Sequence, residues 1–129
     1  MQAGGVWYPP TLLTNVNHGM LIMQEETFGP VIPVVIFGDV EEAVALANDS
    51  TFGLSAAVFS ADADTAKAVA ERLQVGAISL TDGSLTGIVY DVEKNSFRFS
   101  GMGGSRMGPA GLTRFLRKRA LLTHTAEPA

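Results

Sequence analysis

The acidic residues best placed to do chemistry lie in the segment Glu25 to Pro30, which reads Glu-Glu-Thr-Phe-Gly-Pro. Glu25 and Glu26 follow a short apolar run and precede a Gly-Pro pair, which predicts a strand end or a turn. A carboxylate there can accept two hydrogen bonds from the vicinal hydroxyls of a ribose. The alternative is two solvated acids before a turn. Phe28 has the same two interpretations, either packing against a sugar or ring, or serving as an ordinary core residue.

No other group in the sequence fits a recognised catalytic or metal-binding pattern. There is no cysteine, and no serine is singled out by a neighbouring base. His18 and His124 lack ligand spacing and are interpreted as surface or turn residues. The segment Ser100 to Gly108 is rich in glycine, but Arg106 replaces the last glycine of the dinucleotide fingerprint. Pro-Ala follows it where a nucleotide-triphosphate loop needs Lys-Ser/Thr. We therefore predict a tightly turning loop at an interface.

Composition limits the class of protein. The chain has 129 residues with 47% hydrophobic and 17% charged residues, as expected for one folded domain. Its longest apolar run, Val31 to Phe37, has seven residues, far short of the roughly 20 that span a bilayer. The N-terminus does not resemble a signal peptide. We therefore expect a cytoplasmic protein without a membrane partner.

Charge is distributed unevenly along the chain. Residues 1–93 hold twelve acidic side chains against Lys67 and Arg72, a net −10, whereas residues 94–129 hold seven basic side chains against Glu127, a net +6. A basic segment can contact nucleic acid, or it can pair with an acidic surface of the same protein or of a partner. The acidic isoelectric point of about 5.0 favours the second interpretation, so we expect no nucleic-acid partner.

Hydrophobic periodicity predicts alternating strands and helices. Strands are expected at Thr11 to Val16, Met20 to Met23, Val31 to Phe37, Leu54 to Phe59 and Ala77 to Thr81, with Pro33 at a bulge or near its strand's start. Two helices are expected between the later strands, the first capped by Asp39 with Glu42 reaching back, the second capped by Asp62 or Asp64. Arg72 should lie in the second helix's last turn, and Gly76 should stop it. This alternation requires crossover connections and predicts a parallel sheet with helices packed on it.

The C-terminal part is predicted to differ from the rest. Pro109 should begin a last helix, with Leu112, Phe115 and Leu116 facing inward and Arg114, Arg117 and Lys118 facing outward. The segment Ala120 to Thr125 is predicted to form a terminal strand.

Several of these segments, in this order, resemble the aldehyde dehydrogenase family. The resemblance includes Gly5 to Leu13, the Glu-Glu-Thr-Phe-Gly-Pro hexapeptide, Glu42-Ala-Val, Ala47 to Ser50, Phe52 to Ser55, and Val58 to Ser60 with Asp62. It covers nearly the whole chain. It implies the C-terminal part of the catalytic region, an α/β fold containing the parallel-sheet αβα portion of that domain. Residues 1–108 would then be partial catalytic domain, and residues 109–129 a terminal helix and oligomerisation-type strand.

The resemblance also implies a function. In the family the second glutamate of the hexapeptide binds the nicotinamide ribose of NAD or NADP and the phenylalanine packs nearby, which assigns cofactor binding to Glu26 and Phe28. The family's catalytic cysteine, general base and Rossmann domain lie upstream of this segment. We therefore expect the 129-residue chain alone to be inactive, to bind no cofactor tightly, and to self-associate as a dimer or larger oligomer. The alternative is a free-standing α/β module with an interaction or assembly role.

The chain departs from the family pattern after residue 80. Thr81 stands where the family usually has asparagine. Glu93 to Gly101 stands where the family usually reads Pro-Phe-Gly-Gly-x-Lys-x-Ser-Gly, and Arg106 is displaced in the stretch that follows. These differences indicate a divergent branch, and the sequence does not predict which aldehyde is used.

Overall fold

The computed structural model describes residues 7–102, 107–113 and 115–123. Helices and strands alternate along the described chain, in the order β1 (Thr11–Leu13), α1 (Leu21–Gln24), β2 (Val31–Pro33), α2 (Val40–Asn48), β3 (Phe52–Gly53), β4 (Ser55–Val58), α3 (Ala63–Ala70), β5 (Ala77–Leu80), α4 (Leu85–Ile88), β6 (Phe97–Arg98) and α5 (Ala110–Thr113). The predicted α/β class with parallel strands is confirmed.

The strands form three ladders of two strands each. β1 pairs with β2 in parallel, with Leu12 opposite Ile32. β4 pairs with β5 in parallel, with Ala56 opposite Ile78, and α3 forms the crossover between them. β3 and β6 pair antiparallel, which brings Gly53 opposite Phe97. Within the described ranges, the strands predicted for one parallel sheet therefore lie in two separate ladders, and the third ladder is formed by β3 and β6, which were not predicted as strands.

The two longer helices begin as predicted. Asp39 Oδ1 accepts from the Glu42 backbone N–H at 2.8 Å, and Glu42 Oε2 accepts in return from the Gly38 N–H at 2.7 Å. At the start of α3 the cap is Asp62, whose Oδ2 accepts from the Thr65 N–H at 2.8 Å. These carboxylates satisfy N–H groups that have no partner within the helix.

The end of α3 differs from the prediction. The helix stops at Ala70, so Arg72 lies beyond its last turn and Gly76 is not its stop. The Glu71 N–H bonds to the Lys67 carbonyl and the Arg72 N–H to the Val69 carbonyl, which tightens the end of the helix. Arg72 instead forms a bidentate ion pair with Glu41 of α2, at 2.8 and 2.5 Å.

The described core is small and centres on α3 and the β4–β5 ladder. Ala66 and Ser79 are each 1% exposed, and Ala70 is buried with them. Besides Ala66 and Ala70, the described residues contain one more buried apolar side chain, Val44 of α2. Alanine on the inner face of α3 lets the helix lie close to the ladder, and the buried Ser79 hydroxyl accepts from the Thr86 N–H at 3.1 Å.

The prediction of a strand at Met20 to Met23 is wrong. Leu21–Gln24 forms α1, a single helical turn in which the Glu25 N–H bonds to the Leu21 carbonyl at 2.9 Å. A four-residue apolar run cannot distinguish a strand from a helical turn by periodicity. Leucine and methionine are also good helix formers.

The run Val31 to Phe37 is only partly a strand. Its ladder ends at Pro33, so the proline closes the strand instead of lying near its start or at a bulge. A continuous β-branched run is typical of a strand covered on both faces, but this run is not covered in that way, because Ile32 and Ile36 are largely exposed.

The described C-terminal residues do not pack as predicted. α5 is a single turn that follows Pro109, and the side chains expected to face inward, Leu112, Phe115 and Leu116, are all largely exposed. Arg117 and Lys118 are exposed, as predicted. Residues 120–123 form neither helix nor strand, and Arg114, His124 and Thr125 lie outside the described residues.

The chain has a large solvent-accessible surface, and many of its large apolar side chains are exposed. The chain exposes 10701 Å², whereas a folded monomer of 13.6 kDa is expected to expose about 6,600 Å². No described helix has the length and apolar character needed to cross a membrane. Leu121, Leu122 and Ile36 are among the most exposed apolar side chains.

Candidate functional site

A cleft of about 440 Å³ brings Glu26 of the hexapeptide next to residues from three other parts of the chain. Its walls are partly aromatic and partly hydroxyl-bearing. They are formed by Glu26, Ala47, Ser50, Phe52, Gly53, Leu54, Ser55, Ala56, Val75, Phe99 and Ser100. An anionic acceptor beside hydroxyls and aromatic rings suits a ligand that has hydroxyl groups and a flat apolar part.

The turn after α1 places Glu26 in this cleft. Glu25 is the C-cap residue of α1, in the extended conformation. The chain then turns at Gly29, whose N–H bonds to the Thr27 carbonyl at 3.1 Å, and the Pro30 carbonyl accepts from the Thr11 N–H at 2.8 Å, where β2 begins beside β1. Glu26 lines the cleft and Glu25 does not, although both are exposed.

Phe28 is placed differently from Glu26. Its side chain is 94% exposed and does not line the cleft. A phenylalanine so fully exposed is not a core residue of this chain, which leaves its ring free for contact with a ligand or another protein surface.

The opposite wall is formed where β3 meets the segment after β6. The Gly53 N–H donates to Ser100 Oγ at 2.9 Å, and the Phe99 N–H donates to the Thr51 carbonyl at 3.0 Å. Gly53 has no space for a side chain, because a Cβ there would lie 2.6 Å from the Gln74 carbonyl oxygen and 2.9 Å from Phe97 Cβ. The glycine therefore allows the two segments to approach closely.

At the described end of the glycine-rich segment, Gly108 lies close to the backbone of Tyr90 and Asp91. Gly108 has φ +66°, its N–H bonds to the Tyr90 carbonyl at 2.9 Å, and a Cβ there would lie 3.2 Å from the Asp91 carbonyl oxygen. A tight turn is thus present at its end. Arg106 and residues 103–105 lie outside the described residues.

The remaining polar groups serve to hold the structure together. His18 Nδ1 lies 3.0 Å from Asp49 Oδ2, joining the turn before α1 to the end of α2. Lys94 Nζ donates to the Thr86 carbonyl at 2.8 Å, at the end of α4. The described residues contain no cluster of three or more His, Cys, Asp or Glu that could hold a metal ion.

Among the described residues, Glu41 and Asp82 are two of the three carboxylates outside the cleft that have a lowered pKa, and the third is Asp62, which caps α3. The Arg72 guanidinium lowers the pKa of Glu41, first through its hydrogen bonds and then through its charge. Hydrogen bonds from Ser84 lower the pKa of Asp82, which lies directly after β5 in a turn. Both shifts are explained by local hydrogen bonding, so they do not indicate a general acid or base.

The sequence singled out Glu26 but not the other residues that line the cleft. Ser50 entered only as part of the family match at Ala47 to Ser50, and Phe99 and Ser100 were not singled out, because they come from segments far apart in the chain. A weak signal existed in Ser100-Gly101, which matches the Ser-Gly of the family pattern, and it would have pointed to the segment after β6.

Comparison with known proteins identifies the family of this chain. The model of the "Aldehyde dehydrogenase family" matches residues 1–121. Rat mitochondrial succinate-semialdehyde dehydrogenase is 41% identical over 109 residues, covering 83% of this chain and 20% of that protein. Lactaldehyde dehydrogenase of Escherichia coli is 35% identical over 121 residues, 94% of this chain and 25% of that protein. The chain thus spans about a quarter or less of the length of these relatives.

Solved structures give the same result. Aldehyde dehydrogenase PutA from Anabaena variabilis matches with a TM-score of 0.86 at 58% identity, over 97% of this chain and 27% of that one. Betaine aldehyde dehydrogenase from Staphylococcus aureus, solved in complex with NAD+, matches with a TM-score of 0.79 at 38% identity, over 86% of this chain and 21% of that one. These matches show that the chain, whose hexapeptide contributes Glu26 to the described cleft, belongs to the aldehyde dehydrogenase family.

Proposed function

We propose that this chain forms the C-terminal part of the catalytic region of an NAD(P)-dependent aldehyde dehydrogenase, and that it supplies one wall of the nicotinamide site. The observation that carries the proposal is the position of Glu26 in a cleft lined by Phe52, Phe99 and Ser100. The carboxylate of Glu26 suits the cofactor, because it can accept hydrogen bonds from both ribose hydroxyls. The aromatic rings offer apolar surface to a flat ligand.

Each residue then has a limited part in the reaction. Glu26 would hold the ribose and so orient the nicotinamide, which accepts hydride from the substrate when it is bound. Phe28, with its exposed ring, would cover the same region from the hexapeptide side. The chain has no thiol, so the nucleophile that adds to the aldehyde has to come from the remainder of the enzyme.

The proposal predicts that the purified 129-residue chain does not oxidise aldehydes. Without a thiolate, neither the hemithioacetal nor the thioester can form. The test is NADH or NADPH production with a panel of aldehydes, run beside a complete family member as a positive control. Turnover that survives exhaustive purification would contradict this proposal.

The role of Glu26 is tested in the complete enzyme that contains this segment. Glu26→Gln keeps the side chain's size but weakens its acceptance of the ribose hydrogen bonds, so hydride transfer should slow about tenfold or more. Glu25→Gln is the matched control, since Glu25 does not line the cleft, and it should change the rate less than twofold. Equal effects of the two substitutions would count against the assignment.

We also propose that the chain self-associates. Its accessible surface is much larger than expected for a folded monomer of this size, and apolar side chains such as Leu121 and Leu122 are almost fully exposed. In the family the corresponding terminal strand makes subunit contacts, which supports the same expectation. The net charges of −10 and +6 on the two parts of the chain would favour contacts between unlike surfaces of two copies.

A further inference from the structure

Asn48, Gln74 and Arg98 form a polar cluster behind the cleft, which we call the Arg98 clasp. Asn48 is the last residue of α2. Its Nδ2 donates to the Arg72 carbonyl at 3.0 Å, and its Oδ1 accepts from the Gln74 N–H at 2.8 Å. The amide therefore joins the end of α2 to the loop between α3 and β5 through two main-chain groups.

Arg98 connects this pair to a third part of the chain. Its Nη1 donates to the Asn48 carbonyl at 2.8 Å and also to the Ser50 carbonyl, and its Nη2 donates to Gln74 Oε1. One guanidinium thus bonds to the end of α2, to the segment entering β3 and to the loop before β5. The carbonyls at the end of a helix lack partners within the helix, and a planar cation with several donors can bond to two of them at once.

The backbone at Arg98 gives a second indication of constraint. Its φ is +53°, in the left-handed region that residues with a side chain seldom adopt. The conformation turns the chain directly after Phe97, where the Ser100 N–H bonds to the Phe97 carbonyl at 3.2 Å. Such an outlier persists when its surroundings determine it, and here the guanidinium contacts do so.

The clasp lies next to residues that line the cleft. Ser50, whose carbonyl accepts from Arg98, lines the cleft, and so do Phe99 and Ser100, which follow Arg98 in the chain. The guanidinium contacts are made with residues 48, 50 and 74, two of which do not line the cleft.

From these contacts we infer that Arg98 is a positioning residue, which holds the β3–β6 wall of the cleft against the end of α2 and the loop before β5 and so sets the shape of the cleft that Glu26 lines. The inference rests on the proposed function for its catalytic consequence, though the geometry can be tested without catalysis. Lysine should replace Arg98 only in part, because one ammonium can reach the helix-end carbonyls but lacks the second arm that bonds to Gln74.

The cleft geometry is measured first, on the 129-residue chain. Because the chain has no cysteine, Ala47→Cys on α2 and Phe99→Cys after β6 can be labelled with nitroxides at two exposed cleft positions, and the distance distribution read by pulsed electron paramagnetic resonance. Labelled chain is diluted into unlabelled chain so that contacts between copies do not contribute. Arg98→Met should at least double the width of the distribution, and Arg98→Lys should give an intermediate width.

The matched control is Arg72→Met, which removes an arginine bonded to Glu41 and keeps the main-chain carbonyl that Asn48 uses. It should leave the distribution unchanged. Gln74→Ala removes one arm of the clasp and provides a milder variant if circular dichroism shows that Arg98→Met is unfolded. Equal widths for the parent chain, Arg98→Met, Gln74→Ala and Arg72→Met would overturn the inference, as would a broad distribution in the parent chain.

The second measurement uses the complete enzyme that contains this segment. Arg98→Met should raise KM for the nicotinamide cofactor about tenfold while kcat at saturating cofactor changes less than threefold, and Arg98→Lys should recover part of the loss. An unsubstituted enzyme that oxidises no aldehyde would refute the proposed function, leaving the distance measurement to decide the geometry. An active enzyme whose cofactor KM is unaffected by Arg98→Met would refute the positioning role.

Discussion

Replacement of Gly76 by alanine should disrupt the approach of two backbone segments that shape the cleft. Gly76 directly precedes β5, and a Cβ at this position would lie 1.5 Å from the Asn95 carbonyl oxygen and 2.4 Å from its carbon. An ordinary contact needs about 3.4 Å, so main chain would have to move by about 2 Å in closely packed surroundings. The φ of Gly76 is not in the left-handed region, so the expected effect of alanine comes from the steric clash and not from backbone strain.

We expect Gly76→Ala to lower the free energy of unfolding by about 3 kcal/mol, at the upper end of the usual cost of overpacking, because the obstruction is backbone. Gly87→Ala is the matched control. Gly87 lies in α4 with no atom within 4 Å of an added Cβ, so alanine should stabilise by about 0.5–1 kcal/mol. Urea unfolding at one protein concentration, followed by circular dichroism, measures both. A Gly76→Ala value within about 0.5 kcal/mol of the parent chain would refute the reasoning.

Three further predictions concern backbone strain, pH and assembly. Thr81 is β-branched and has φ +58°, in the left-handed region that asparagine tolerates better. Thr81→Asn should therefore raise the unfolding free energy by about 1 kcal/mol in the same urea assay. An unchanged unfolding free energy would contradict backbone strain at this position. Hydrogen bonds from the Thr65 hydroxyl and N–H lower the pKa of Asp62 in the folded chain. The contribution of Asp62 to the unfolding free energy should therefore be complete above the pKa of an unfolded aspartate, about 3.9, and lost as pH falls through the lower folded value. Asp62→Asn still caps the helix, so this variant should lose less unfolding free energy between pH 5 and pH 2.5 than the parent chain. Light scattering should report a dimer or larger species, and a mass near 13.6 kDa at all concentrations would contradict self-association.

The sequence predicted the local structure best where a polar side chain defines an element's start. Asp39 and Asp62 cap their helices as expected, because a cap depends only on residues three positions away. The strands at Ala77 and Ser55 were also predictable from their apolar runs. Met20 to Met23 failed because a short apolar run has no period to read.

The candidate site was only partly predictable, for a different reason. Glu26 belongs to a continuous motif, whereas Phe99 and Ser100 reach the cleft through the Gly53 contact and the Arg98 clasp. Those contacts join residues 24 to 50 positions apart, and no local pattern encodes them. The inward orientation predicted for Leu112 and Phe115 failed because periodicity indicates an apolar face but cannot say whether that face is covered within the same chain.

The uneven distribution of buried residues has a consequence for how the cleft moves. In the described chain every buried residue lies in α2, β3, α3 or β5, and none lies in residues 7–38. Regions with few buried contacts open at lower free energy and exchange their amide hydrogens faster. The β4–β5 amides should therefore be the slowest to exchange, and those of β1 and β2 among the fastest. The Glu26 side of the cleft would then be the more flexible side, and it would close onto a ligand that is already bound against the more stable wall at Gly53 and Ser100.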